Sequence, residues 1–107
     1  MNIPYIFAEE VRKNLSIEDA IQCTENVYKL KSQDKTVVWP TIFYEFDPGH
    51  ADMDIKSGYL TEQHIFGHKT VAFMEANVQK DLPDLVGLIA VFSSETVCRL
   101  ALWTAPL

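Results

Sequence analysis

The 107-residue sequence has little cysteine, little glycine, few basic residues and no long apolar run. Its two cysteines, Cys23 and Cys98, lie far apart and form no Cys-x-x-Cys or Cys/His ligand spacing. That excludes a disulfide scaffold and reads as the reduced thiols of a cytoplasmic protein. The four glycines, Gly49, Gly58, Gly67 and Gly87, are dispersed. Neither a phosphate loop nor a Gly-x-Gly-x-x-Gly fingerprint is present. Nine Lys and Arg stand against fifteen Asp and Glu, a formal net charge of −6, with no basic run beyond Arg12-Lys13. Nucleic acid is therefore not an expected partner, because that affinity comes from clustered cations. The longest apolar stretch, Leu85 to Phe92, is too short to cross a bilayer as a helix. The start, Met1 to Phe7, lacks the basic and apolar regions of a signal peptide. The expectation is a soluble cytoplasmic protein with no membrane partner. What is present is an apolar fraction of 48% with two Trp, four Tyr and six Phe, enough for one folded domain.

Along the chain the apolar period changes. Ile3 to Phe7 reads as an edge strand because of Pro4. Ala8 to Leu15 reads as a short helix with acid (Glu9, Glu10) at its start. Ser16-Ile17-Glu18-Asp19 is a helix N-cap, and Ile17, Ala20, Ile21, Thr24, Val27 and Tyr28 then recur at helical spacing. After Lys35 the residues become β-branched and aromatic. Strands are predicted at 36–39, 41–46, 53–59, 66–73 and 85–92, separated by turn-forming segments. Helices followed by strands predict an α+β fold with a mostly antiparallel sheet. Only the helix near 17–31 is available to cover that sheet, so an uncovered apolar face, which means a partner or a missing piece, is expected.

Few residues form a chemical pattern. His50-x-Asp52-x-Asp54 would share one strand face and offer metal ligands, but it adjoins the Asp47-Pro48-Gly49 turn, where such residues are simply solvated. His64 and His68 lack a third ligand. Ser57, Ser93 and Ser94 have no nucleophile-elbow context. Lys56 and Lys69 stand in strand-like segments. A strand lysine is commonly a solvated outward residue, and alternatively an inward point charge for a substrate carboxylate.

Phe7-Ala8-Glu9-Glu10-Val11, Ser16-Ile17-Glu18-Asp19-Ala20, Pro40, Gly67-x-Lys69-x-Val71, Asn77, Leu82-Pro83, Gly87-Leu88, Phe92 and Glu95-Thr96 together resemble the start of the ornithine cyclodeaminase/mu-crystallin family. The resemblance runs from about residue 6 to 96. It implies part of a substrate-binding and dimerisation domain, whose sheet joins a second subunit's into a closed barrel. In the intact family this domain accompanies a Rossmann domain, which is absent here. The family's enzymes depend on NAD(P). They convert ornithine to proline plus ammonia, or act as alanine dehydrogenases or ketimine reductases on small amino or imino acids. Lys69 matches the lysine that contacts the substrate carboxylate. The family's arginine two residues after the proline is Ile42 here, and Lys56 is the candidate replacement. The catalytic acid and nucleotide loop would lie beyond residue 107. No catalytic, cofactor-binding or metal-binding residue is assigned in this chain, and turnover by it alone is not expected.

Residues 1–96 thus read as a partial domain and 97–107 as an atypical tail. After Glu-Thr the family continues Gly-x-Pro-Leu-Ala-x-x-Asp-Gly, whereas this chain runs from Val97 to Leu107. Read one nucleotide earlier, the codons of Val97, Cys98-Arg99, Trp103-Thr104 and Ala105 allow Gly, Pro or Ser, Asp and Gly in that order. The expectation is a truncated family member with a frameshift near Thr96–Val97. The alternative is a stand-alone, non-catalytic module for dimerisation or small-carboxylate binding, and a third reading is a subunit complemented by a separate Rossmann chain.

Overall fold

Ser16 separates two helices. The first, α1 (Ala8–Asn14), carries Glu9 and Glu10 in its first turn and Arg12 and Lys13 in its last, complementing the helix dipole. The second, α2 (Ile17–Ser32), opens on a capping box. Ser16 Oγ accepts from the Asp19 amide at 3.1 Å, and the Asp19 carboxylate accepts from the Ser16 amide at 3.3 Å. Both follow the sequence expectation. The computed structural model describes residues 3–104.

The strands are β1 (Tyr5–Ile6), β2 (Thr36–Val38), β3 (Ile42–Asp47), β4 (Ala51–Leu60), β5 (Ile65–Met74), β6 (Leu85–Ser93) and β7 (Arg99–Thr104). A 3₁₀ helix, Glu75–Lys80, links β5 to β6. They form one sheet in the order β1-β7-β6-β5-β4-β2, with β3 also paired to β4. The fold is α+β, and every strand pair is antiparallel except β1 with β7. Strand β4 is long enough to seat two short strands on one edge: Val38 of β2 lies opposite Gly58, and Ile42 of β3 opposite Ile55. Between them Trp39-Pro40 interrupts the ladder, as proline must.

The centre of the sheet is the β4–β5 ladder, an unbroken register from Ala51↔Met74 to Leu60↔Ile65. Gly58 and Gly67 face each other within it. A Cβ on Gly67 would meet the Ala90 carbonyl oxygen at 2.7 Å, so backbone packing of β5 on β6 requires glycine there.

The sheet is less covered than the sequence suggests. The expected cover, α2, approaches it chiefly along the β2 edge. Ala90 is the buried apolar side chain, while Ile17, Phe43, Tyr44 and Phe46 are exposed. The radius of gyration is 15.8 Å, where about 13 Å is usual for a domain near this size. The accessible surface is 7989 Å², roughly 2,000 Å² more than a monomer of this mass normally shows.

The tail forms part of the sheet. Strand β7 pairs antiparallel with β6 and parallel with β1, and Trp103 meets Ile6, Val11 and Leu15 beside α1. The turn into β7 holds Val97 at φ +51°, a conformation that crowds a β-branched side chain. The last three residues of the tail lie outside the described residues.

Candidate functional site

Alternation along the strands sorts the candidate residues by face. Lys56 lies directly opposite Lys69, Lys69 opposite Ile89, and Ile89 opposite Trp103, so one row crosses four strands on one face. On one side of it lies the row Gly58–Gly67–Val91, in which neither glycine adds a side chain to the face. On the other side lies Phe43–Asp54–Val71–Gly87. Lys56 is exposed and Lys69 half-buried.

Among the described residues the charges on this face have no partner. Neither Lys56 nor Lys69 is among the residues engaged in ion pairs, in which the one lysine is Lys35, bound to Glu62 at 2.9 Å. One carboxylate oxygen of Asp54 is buried without a hydrogen-bond partner. Like charges directly opposite on a sheet repel, an arrangement that costs up to about 1 kcal/mol unless something neutralises it. A row of two ammonium groups is suited to holding an anionic group, each ammonium offering three donors.

The sequence singled out both lysines, and the register brings them together. Asp54 was legible only as part of the His50-x-Asp52-x-Asp54 spacing. In the fold Asp52 and Asp54 share a face, but His50 lies in the turn before β4 and instead hydrogen-bonds Glu75. Among the described residues no group of three His, Cys, Asp or Glu is placed to hold a metal ion. The hydrogen bond to Glu75, then the charges of Glu75 and Asp47, raise the His50 pKa above its usual value. This pair flanks a cleft of about 580 Å³ lined also by Asn77 and Lys80, at the far end of the sheet from the Gly58–Gly67 row. Ile42 lies opposite Ile55 and so on the face away from the lysines. His68 is on that other face as well, stacked on Phe92.

A dinucleotide does not fit the described residues. Their two helices begin at Phe7 and Ser16, with no glycine turn leading in, and no helix connects two parallel strands. Gly67 serves strand packing. Among the described residues no helix is long and apolar enough to cross a membrane.

No protein-family model matches the chain, and no curated protein matches it by sequence. Solved structures do match. An archaeal alanine dehydrogenase dimer with bound NAD is 27% identical with a TM-score of 0.87, covering 98% of this chain and 32% of the other. The Δ1-pyrroline-2-carboxylate reductase of Thermococcus litoralis, in complex with NADH and L-proline, is 20% identical with a TM-score of 0.85, covering 95% and 32%. A probable ornithine cyclodeaminase from Bordetella pertussis is 12% identical with a TM-score of 0.79, covering 97% and 30%. The chain thus has the fold of a part of the amino- and imino-acid dehydrogenases and cyclodeaminases. These neighbours bear out the resemblance to the ornithine cyclodeaminase family. The chain spans about a third of the length of the solved structures it matches.

Proposed function

We propose that this chain is the carboxylate-holding part of an NAD(P)-dependent enzyme of the ornithine cyclodeaminase family, acting on a small amino or imino acid. The observation that carries the reading is the unpaired, half-buried Lys69 at the centre of the sheet, with Lys56 directly across from it. Lys69 takes the substrate carboxylate by charge-assisted hydrogen bonds. Holding the carboxylate fixes the α-carbon, which is what a hydride transfer to or from that carbon needs. Hydride exchange with NAD(P) belongs to the part of the family enzyme that this chain does not span, and none of its described residues is given a catalytic role.

The uncovered sheet supports homodimerisation through it. The surplus surface, roughly 2,000 Å², is of the size one subunit buries in an obligate dimer. The free thiols of Cys23 and Cys98 support a cytoplasmic setting. Val97 supports the reading that residues 97–107 follow a frameshift, because a left-handed backbone stands where the resemblance has glycine. The nucleotide sequence from the Thr96 codon tests that reading: the shifted frame resumes Gly-x-Pro and Asp-Gly, or the reading fails.

Calorimetric titration of the chain with L-alanine and L-proline tests the site. Lys69→Ala is expected to weaken binding about tenfold or more while leaving the thermal transition in place, the usual effect of losing a charged hydrogen bond. L-Alaninamide, which lacks the carboxylate, is expected not to bind. Equal affinity in the variant contradicts the assignment.

A further inference from the structure

We infer that the lysine face is built for an α-amino or α-imino dicarboxylic acid, with Lys69 and Lys56 each taking one carboxylate and Asp54 taking the protonated nitrogen. The inference rests on the carboxylate-binding reading above and adds the second acid group and the nitrogen of the ligand.

Three observations support it. First, Lys56 and Lys69 are a direct cross-strand pair, with side-chain origins about 5 Å apart. A ligand bearing two negative groups engages both. A single carboxylate shared between them leaves one positive charge unmet. Second, Asp54 stands two residues before Lys56 on the same face and diagonal to Lys69, with a buried carboxylate oxygen that nothing in the protein engages. A buried acceptor of this kind is costly to leave unsatisfied. An ammonium or iminium group satisfies it. Third, the row next to the lysines, Gly58–Gly67, carries no side chain that could compete with a ligand for the two ammonium groups.

The charges then match term by term. Two ammonium groups and one carboxylate complement a ligand with two carboxylates and one protonated nitrogen. A neutral zwitterion such as alanine leaves Lys56 unmet, and a dianion without nitrogen, such as succinate or inorganic phosphate, leaves Asp54 unmet. The other acids on this face do not alter the match. Asp52 lies a row further from the lysines, opposite Glu45, and Glu45 already accepts a hydrogen bond from the Gly49 amide.

The test is calorimetric titration of the 107-residue chain and its variants with L-aspartate, L-glutamate, L-alanine, succinate and inorganic phosphate. Either amino dicarboxylate is expected to bind at least about tenfold more tightly than alanine, the worth of one additional charge-assisted pair. Lys56→Met is expected to erase that preference while leaving alanine binding within about twofold. Asp54→Asn is expected to bring aspartate down to the level of succinate. A wild-type chain that binds alanine and both dicarboxylates equally overturns the dicarboxylate inference and leaves the simpler carboxylate site standing. Loss of alanine binding in Lys56→Met, with the thermal transition intact, assigns both lysines to one carboxylate and also overturns it. Phosphate binding as tight as aspartate removes Asp54 from the recognition. If no carboxylate binds the wild-type chain, the carboxylate reading itself fails and this inference fails with it.

Discussion

The two hairpins at the middle and the end of the sheet are built to different standards. In the β4–β5 pair every residue from Ala51 to Leu60 has a partner, and its two glycines let the flanking strands β2 and β6 approach closely. In the β6–β7 pair the register shifts between Val91 and Phe92, and the turn holds Val97 at φ +51°. The first hairpin carries the candidate site, and the positive φ in its turn falls on His64, a residue type that takes up this backbone more readily than a β-branched one. The second forces a β-branched residue into a conformation suited to glycine. The difference teaches where sequence and backbone agree. They disagree most at Val97, the one β-branched residue with a left-handed backbone among the described residues.

The largest effect is expected where the central hairpin packs on β6. Gly67→Ala puts a Cβ against the Ala90 carbonyl oxygen, and overpacking of this kind costs about 1–3 kcal/mol. Urea unfolding should show it as a lower midpoint, and an unchanged midpoint means the strands are less tightly packed than described. Repairing the strained hairpin works in the opposite direction. Val97→Gly is expected to raise stability by about 1 kcal/mol, the penalty of a left-handed backbone less the extra chain entropy of glycine. A loss of stability would show that the Val97 side chain makes a contact worth more than its strain.

The smallest effect concerns the far end of the sheet. Its pair with Glu75 raises the His50 pKa above its usual value. A raised folded-state value stabilises the fold fully below the unfolded pKa, about 6.5, and that contribution is lost as pH rises through the folded value. Both side chains are largely exposed, so the change in stability is expected to be slight. The pKa itself is the clearer measurement. Proton NMR titration of His50 should move down toward the usual value in Glu75→Gln, and no movement would mean the pair does not persist in solution.

Much of this was legible in the sequence, for physical reasons that differ by element. The Ser16 cap and α2 depend on local spacing, and the structure returns them nearly as read. The strands β4, β5 and β6 follow from β-branched and aromatic runs between turns, and lie within a few residues of the predicted bounds. Lys69 came from the resemblance. That Lys56 faces it depends on register, which is set by the turn at 61–64 with His64 at positive φ, and periodicity does not encode that. Strand β7 was not legible, because Leu100 to Trp103 is a continuous apolar run and its pairing with β1 is a contact between opposite ends of the chain. Asp54 was legible only by type, since the neighbours of a carboxylate are a product of the fold.

The measurement that tests the central claim most directly is a two-dimensional NMR titration of the chain with L-alanine, following the backbone amides and the lysine side chains. The largest shifts are expected on Lys69 and its neighbours in β4, β5 and β6, and are expected to vanish in Lys69→Ala. Shifts confined to the His50–Glu75 cleft or to the opposite face around His68, with Lys69 unmoved, would contradict it.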